Sequence, residues 1–183
     1  TKNESNPPRR KGRILKELRT LAGSDCEKEG IKVFTFKDQI DKWRALIKGP
    51  DGSLYKDRWF YLTIEFPAQY PNVAPSIRFV NPPYHVNISD NGFICLTNLD
   101  VNYRSDDTIH DLLMAVIGLL LCPNNNDPID HKRLEMLKKE NADKFKQKVD
   151  EYNRNNSKNN PDDWTKGWNI EKDPESDKNP EDF

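Results

Sequence analysis

The sequence predicts an α+β domain in which one helix is followed by a run of antiparallel strands and then by further helices. Two observations indicate this order. Short segments with alternating apolar residues, separated by turn signals, fill the stretch from residue 31 to residue 80. Apolar residues at helical spacing occur before and after that stretch. Because helices and strands are segregated along the chain, the pattern is typical of an α+β fold.

The first helix is predicted over residues 9–21, with Ile14, Leu18 and Leu21 on one face. Four strand-like segments follow, and a strong Gly-Pro-Asp-Gly turn separates the second from the third. The third segment has the clearest alternation of apolar and polar side chains. We predict these strands over residues 31–36, 43–48, 59–66 and 76–80.

Three helices are predicted after the strands. Thr108 is a suitable N-cap for a helix over residues 109–121, which is apolar on almost every side. We therefore expect it to be the most buried helix. Two amphipathic helices are predicted over residues 130–140 and 142–154.

The two ends of the chain differ from the core in composition and charge. Residues 1–22 are basic, which indicates either a solvated end or a docking face on the first helix. The C-terminal end is acidic and rich in Asn, Asp, Lys and Pro, which predicts disorder or loose docking. Trp164 and Trp168 are the residues with which it would dock. We predict a flexible N-terminus, a catalytic core and an acidic, disordered tail over residues 1–8, 9–155 and 156–183.

Composition excludes several classes of function. The formal net charge is −1, and no basic surface interleaved with aromatic residues predicts nucleic-acid binding. No apolar run approaches the roughly 20 residues of a membrane span. Cys26, Cys95 and Cys122 are far apart and form no CxxC pair, so we expect reduced thiols and no metal site. With no signal-peptide pattern at the N-terminus, we expect a cytoplasmic protein and leave a nuclear pool open.

The most informative motif surrounds one cysteine. His85 and Asn87 precede an Asn91-Gly92 turn, and Cys95 follows inside a short apolar run. An imidazole, a carboxamide and a thiol are thus close together in the sequence. This set suits acyl transfer, in which a thiol carries the acyl group and an amide N–H stabilises the oxyanion.

Several segments, in this order and spacing, resemble the ubiquitin-conjugating enzymes over about residues 9–154. They are residues 13–18, 49–55 and 60–67, Tyr70-Pro71 with Pro75, His85-Val86-Asn87, Asn91-Gly92 with residues 94–96, and Pro123-Asn124 with Asp127-Pro128. The resemblance implies a four-stranded antiparallel meander with an N-terminal helix, a central crossover helix and two C-terminal helices. It also implies that the cysteine accepts a modifier's C-terminal glycine as a thioester and passes it to a lysine.

The resemblance implies partners as well. They are ubiquitin or a ubiquitin-like modifier, a ubiquitin-activating enzyme, a ubiquitin ligase of open class, and a protein substrate. No cofactor is implied, because ATP is consumed by the activating enzyme.

By this resemblance, Cys95 is the nucleophile and thioester carrier. Asn87 is the oxyanion stabiliser or an amide that organises the loop. Asp127 is a gate acid that orients the incoming lysine, or simply a turn residue before a proline. His85 braces the loop rather than moving protons, and Asn124 contacts the bound modifier.

Two further sets of residues carry weaker expectations. Met114 and Gly118 lie one turn apart on the central helix, on the face that would hold the modifier in its reactive pose, although a helical methionine also serves as core filling. Arg13 and Lys16 on the first helix are candidates for docking the activating enzyme.

The chain also departs from the family pattern. Val86 replaces a proline, Asn72 stands where ligase-binding members often have an aromatic residue, and Tyr103-Arg104 replaces the usual tryptophan loop. These changes at the docking loops leave the ligase class open. They also keep in view a scaffold that binds ubiquitin or a ligase without forming a thioester. A thiol hydrolase that uses Cys95 with His85 is a third alternative, but the sequence offers neither a further partner for this pair nor a substrate groove.

Overall fold

The structure, a computed structural model, describes residues 7–22, 25–35, 39–96, 99 and 102–168. The helices are α1 (Pro7–Ala22), α2 (Ile109–Leu121), α3 (His131–Leu137), α4 (Ala142–Asn156) and α5 (Asp162–Thr165), and the strands are β1 (Ile31–Thr35), β2 (Lys42–Lys48), β3 (Trp59–Glu65) and β4 (Ser76–Phe79). The predicted α+β order is confirmed. The first helix begins earlier than predicted because proline at its start sacrifices no helical hydrogen bond. The remaining parts of the predicted N-terminal segment and tail, residues 1–6 and 169–183, lie outside the described ranges.

The four strands form one antiparallel sheet in the order β1-β2-β3-β4, so each strand pairs with its neighbour in sequence. Ile47 of β2 lies opposite Ile31 of β1 and Phe60 of β3. These side chains belong to the inner, core-facing side of the sheet. The alternation predicted for the third strand is confirmed, since Phe60, Leu62 and Ile64 are all 0% exposed.

The central helix α2 packs against the inner face of the sheet. Thr108 caps it as predicted and forms a reciprocal pair of hydrogen bonds with Asp111. Each fully buried apolar side chain contributes roughly 1.5–3 kcal/mol relative to an exposed one, so this helix contributes substantially to the stability of the core. Its buried side chains are Ile109, Leu112, Leu113, Val116, Ile117, Leu119 and Leu120. Across the residues that the structure describes, no helix combines the length and hydropathy that a membrane span requires.

A buried carboxylate joins α1 to the start of α2. Glu17, with a side chain 4% exposed, accepts a hydrogen bond from Arg13 Nε at 2.7 Å. Its other oxygen accepts from the backbone N–H of Ile109 at 2.9 Å. Arg13 also donates to the carbonyl oxygen of Asp107 at 2.9 Å and to that of Ser105 at 3.2 Å. The guanidinium that the sequence suggested for partner docking is therefore engaged in holding α1 against the loop before α2.

Beyond α4 the chain continues as a packed segment. Trp59, at the start of β3, exchanges two backbone hydrogen bonds with Lys158, of 2.7 and 3.1 Å. Arg58 donates to the Ser157 hydroxyl at 2.8 Å, and Trp164 Nε1 donates to the Trp59 carbonyl oxygen at 3.0 Å. We call residues 157–168 the C-terminal strap.

The strap ends with Trp168 on the outer face of the sheet, opposite the core. The Trp168 ring centroid lies 5.0 Å from that of Tyr61 and 5.6 Å from that of Phe34. The Arg44 guanidinium lies 4.5 Å from the same ring, within cation–π distance. Of the two alternatives that the sequence leaves open for this segment, disorder and docking, residues 157–168 follow docking, through the two tryptophans that the sequence indicates.

Trp164→Ala is expected to lower the free energy of unfolding by about 2 kcal/mol, roughly half the loss for a fully buried tryptophan, because this side chain is only half-buried. Urea unfolding of the full chain would measure the change. Phe93→Ala is the matched control, since its ring is 51% exposed and its removal should change stability little. Equal effects from the two substitutions would show that the strap does not stabilise the fold.

Candidate active site

The Cys95 loop, residues 85–96, follows β4 and folds back on itself. Ile88 and Ile94 form an antiparallel bridge across it. The backbone N–H of Cys95 donates to the carbonyl oxygen of Asn87 at 2.8 Å. The thiol is thus carried on a closed, hydrogen-bonded loop, and its side chain is half-buried.

Gly92 fixes this loop against the end of β4. Its φ of +78° is in the left-handed region, and a β-carbon there would lie 1.8 Å from the carbonyl oxygen of Phe79. The Gly92 carbonyl oxygen accepts from the Phe79 N–H at 3.0 Å. The turn expected at Asn91-Gly92 is therefore present, and only glycine fits at its second position.

The structure brings Cys95 and Asp127 together, although 32 residues separate them in sequence. The Cys95 Sγ lies 3.3 Å from Asp127 Oδ2. Asp127 is exposed, so its carboxylate is open to solvent beside the sulfur. An ammonium group that reached the sulfur would also meet this carboxylate.

Asn87 is 0% exposed and connects the Cys95 loop to the loop after α2. Its amide nitrogen donates to the carbonyl oxygens of Asn124 and Asp127, at 2.8 and 2.9 Å. Its amide oxygen accepts from the Asn124 N–H at 2.9 Å. Because both N–H groups are already engaged, the geometry matches the loop-organising alternative rather than an amide aimed at an oxyanion. The side chain of Asn124 accepts from the Asn126 N–H at 3.1 Å, and so contributes to the same loop.

His85 is 0% exposed and uses both ring nitrogens within the protein. Nδ1 accepts from the Asn87 N–H at 2.9 Å, and Nε2 lies 3.0 Å from the carbonyl oxygen of Leu119 on α2. These contacts define the tautomer with the proton on Nε2. Burial lowers the pKa of His85 to about 4, which keeps the ring neutral at physiological pH.

The free energy of unfolding is expected to fall as the pH drops from about 6.5 towards 4, through His85. On unfolding, the pKa of this ring returns from about 4 to its ordinary value near 6.5, so the unfolded chain binds more protons between these values. The contribution of the neutral ring to the free energy of unfolding is therefore complete above about pH 6.5. It decreases as the pH falls through this window, by at most about 1.4 kcal/mol per pH unit.

Urea unfolding across this window would measure the slope, and NMR titration would assign it among the three histidines. We expect the His85 ring to remain neutral well below pH 6. Titration of this ring near its ordinary value, with the protein folded, would contradict the buried arrangement.

Sequence reasoning missed Arg133, whose buried side chain forms hydrogen bonds with the Cys95 loop. This side chain of α3 is 5% exposed and donates to the carbonyl oxygen of Ile88 at 2.8 Å. It also pairs with Asp90 at 2.5 Å and stacks on the Tyr84 ring at 4.4 Å. An arginine in a short amphipathic helix gives no sequence signal that distinguishes a buried cation from a solvated one.

The weaker sequence candidates lie outside this cluster. Met114 is 37% exposed, and Gly118 has no atom within 4 Å of the position that a β-carbon would take, so both lie on an open face of α2. Leu121 extends the same face and is 45% exposed. Lys16 is exposed on α1, whereas Arg13 is held by Glu17.

Val86 and Tyr103, two positions at which the sequence departs from the family pattern, each take part in a hydrogen bond between loops. Val86 is 0% exposed, and its carbonyl oxygen accepts from the Ile129 N–H at 2.9 Å. The Tyr103 hydroxyl donates to the carbonyl oxygen of Pro71 at 2.8 Å, which joins the two loops expected to bind a ligase. Together, these features describe an α+β domain that presents a cysteine thiol on a rigid loop beside a carboxylate.

Comparison with known proteins agrees with this class. The family model described as "Ubiquitin-conjugating enzyme" matches residues 13–153. A protein of Acanthamoeba polyphaga mimivirus, "Probable bifunctional E2/E3 enzyme R795", is 42% identical over 100 residues, which cover 55% of this chain and 8% of the viral protein. An Arabidopsis thaliana protein, "Probable ubiquitin-conjugating enzyme E2 31", is 34% identical over 122 residues, which cover 67% of this chain and 79% of the plant protein.

The chain belongs to the ubiquitin-conjugating enzyme family. The match includes the sheet, α2 and the Cys95 loop, and it ends within α4, before the C-terminal strap. The aligned part is only a small fraction of the viral relative, so what that whole protein does is not transferred to this chain.

Proposed function

We propose that this protein is a ubiquitin-conjugating transferase that carries ubiquitin, or a ubiquitin-like modifier, as a thioester on Cys95. The main support is the position of the Cys95 sulfur, half-buried on a closed loop and 3.3 Å from Asp127. A ubiquitin-activating enzyme would supply the modifier, and a ligase would bring the protein substrate. We assign this activity to the cytoplasm, and leave a nuclear pool open, because thiols stay reduced in both compartments.

The proposed reaction has two acyl transfers. In the first, the Cys95 thiolate attacks the carbonyl carbon of the modifier's thioester on the activating enzyme. A new S–C bond forms, and the activating enzyme's thiolate leaves. In the second, a neutral lysine amine attacks the same carbonyl carbon, an amide bond forms as the nitrogen loses a proton to water, and the carbon–sulfur bond breaks so that the Cys95 thiolate leaves.

Asp127 is proposed to orient the lysine and to receive its proton. A lysine begins near pKa 10.4, so most of it is protonated at neutral pH and must lose a proton before attack. The Asp127 carboxylate is exposed and lies 3.3 Å from the sulfur at which the amine must arrive. Asn87 is proposed to hold the Asp127 backbone in this position through its hydrogen bond to the Asp127 carbonyl oxygen.

His85 is proposed to act only as a brace for the loop. Its two ring nitrogens are occupied by Asn87 and by the Leu119 carbonyl oxygen, so neither faces the thiol as a base. This arrangement also argues against the thiol-hydrolase alternative, which requires a histidine base.

The open face of α2 that carries Met114 and Gly118 is proposed to contact the modifier during transfer. Two exposed apolar side chains and a glycine without close neighbours make this face accessible to another protein. Asn124, whose backbone is held by Asn87, is proposed as a further contact with the modifier. For the activating enzyme, exposed Lys16 remains a proposed contact, whereas Arg13 is proposed to act structurally through Glu17.

The proposal is tested by a charging assay with the full chain, a ubiquitin-activating enzyme, ATP and ubiquitin. We expect an adduct on non-reducing gels that disappears when a thiol is added. A parallel reaction with an established conjugating enzyme shows that the activating enzyme works. No adduct with ubiquitin or with related modifiers would overturn the proposal and favour the scaffold alternative, which the altered Tyr103 and Asn72 loops also suggest.

Asp127→Asn is expected to slow transfer from Cys95 to free lysine by about 10²-fold at pH 7, the lower end of the range for a positioned proton acceptor. Charging by the activating enzyme should be unchanged, because that step needs no lysine. The loss should shrink as the pH rises towards 10, since the amine is then already neutral. Single-turnover discharge of the purified thioester at several pH values would measure it.

Asp130→Asn is a useful control for this prediction. Asp130 is a nearby carboxylate, but it caps α3 through the backbone N–H groups of Lys132 and Arg133. Equal slowing by both substitutions, or a loss independent of pH, would mean that Asp127 has no specific role with the lysine.

A further inference from the structure

Three side chains of different chemistry converge away from the Cys95 loop. Cys26 lies in the 3-10 turn Asp25–Glu27, Glu29 lies just before β1, and His110 lies in the first turn of α2. One potential ligand atom from each lies within 4.8 Å of the other two. His110 Nε2 is already 2.7 Å from Glu29 Oε2.

We propose that Cys26, Glu29 and His110 form a Zn²⁺-binding site. Thiolate, imidazole and carboxylate are the three ligand types that zinc takes in proteins, and three protein ligands with a water molecule complete its tetrahedral coordination. One thiolate and one carboxylate also balance the two positive charges of the ion. Softer thiolate coordination favours zinc over magnesium or calcium, which take oxygen ligands.

Access and burial suit such a site. Cys26 is 3% exposed, so its sulfur would form the floor. The side chains of Glu29 and His110 are 45% and 30% exposed and would form the solvent side, where a water molecule can bind. The ion would therefore enter from solvent and reach the thiol through the Glu29–His110 pair.

Only small side-chain movements are needed to bind the ion. Zinc lies about 2.3 Å from sulfur and about 2.0–2.2 Å from nitrogen or oxygen, so ligand atoms around it are separated by roughly 3.3–3.7 Å. The Glu29–His110 contact must widen from 2.7 Å, and Cys26 must close in from no more than 4.8 Å. The backbone on both sides is held, by Gly30 hydrogen bonds to Glu27 and Lys48 and by the cap of α2.

Asp111 provides an outer carboxylate for the histidine. Its Oδ1 lies 3.9 Å from His110 Nδ1, on the ring edge away from Glu29. With Nε2 on the ion, Nδ1 would carry the proton and point towards this carboxylate, an arrangement that orients metal-binding histidines in many proteins. The bound ion would join the turn before β1 to the start of α2, a role separate from acyl transfer.

The test uses the full chain, stripped of metal and kept reduced with a phosphine. After zinc is added back and the excess is removed by dialysis, we expect the wild type to retain one equivalent of zinc. Co²⁺ used as the probe should give a thiolate-to-cobalt charge-transfer band and the intense visible bands of tetrahedral coordination. Cys26→Ser should abolish the charge-transfer band, and His110→Gln should weaken zinc binding more than about 100-fold, beyond the usual effect of losing an outer partner.

Matched controls come from the same chain. Cys122→Ser removes an exposed thiol, and His131→Gln removes an exposed imidazole. Both should bind zinc like the wild type. Far-ultraviolet circular dichroism of each metal-free variant shows whether it is folded. Glu29→Gln removes the carboxylate ligand at an exposed side chain, so it tests the site without changing the core. Absence of zinc from the folded wild type, or a cobalt–thiolate band that survives Cys26→Ser, would overturn the proposal.

Discussion

Cys95→Ser is expected to convert the thiol-sensitive ubiquitin adduct into an adduct that survives thiol and is cleaved by hydroxide. A serine hydroxyl in the same position would form an oxygen ester, which thiols do not exchange readily. Cys95→Ala should form no adduct at all, because no nucleophile remains on the loop. Non-reducing gels with and without thiol, followed by brief alkali treatment, would distinguish the three behaviours.

Cys122→Ser is the control for this experiment. Cys122 is more exposed than Cys95 and lies at the end of α2. It would therefore form the adduct before Cys95 if exposure alone determined the reactivity of a thiol. We expect its adduct to equal that of the wild type in amount and thiol sensitivity. An adduct that persists in Cys95→Ala and disappears in Cys122→Ser would move the carrier role away from Cys95.

Asn87→Ala is expected to destabilise the fold by about 3–5 kcal/mol and to slow transfer as a consequence. The substitution removes three hydrogen bonds from a fully buried site, and each buried polar group left without a partner costs about 1–3 kcal/mol. The orphaned groups belong to Asn124 and Asp127, so the carboxylate beside the sulfur would lose its support. Urea unfolding and limited proteolysis of the loop after α2 would measure the effect.

The two roles considered for Asn87 make different predictions. If its amide organised the loop, the loss of stability and the loss of transfer would occur together, as we expect. If it instead served the oxyanion, transfer would fall about 10²–10³-fold with stability nearly unchanged. Asn125→Ala, at an exposed side chain of the same loop, is the control and should alter neither quantity.

Much of the fold could be predicted from the sequence because its signals are local. The alternation ending at Phe66, the cap at Thr108 and the apolar helix after it each reflect the environment of one segment. The structure confirms the strand, the cap and the helix at these places. The position of Cys95 on a turn was equally local, since Gly92 sets the turn.

The supporting contacts of the site could not be predicted, because they join residues far apart in sequence. Glu17 reaches the N-terminus of α2, Arg133 reaches the Cys95 loop, and Asn87 reaches the loop after α2. Each is a polar residue whose burial depends on which elements pack together. Composition likewise left disorder and docking open for the tail, because its two tryptophans are few among many polar residues and their partners, Tyr61 and Phe34, are far away in sequence.

The strap also has a consequence for synthesis on the ribosome. Its hydrogen bond from Trp164 to Trp59 joins residues 105 apart in sequence, so it cannot form until the chain has been made through residue 164. Until then, the outer face around Tyr61 and Phe34 lacks its aromatic cover. Nascent chains would therefore pass through a stage with an uncovered, partly apolar sheet, which favours association with other nascent chains or chaperones. Stop codons placed just before residue 157 would make that stage permanent.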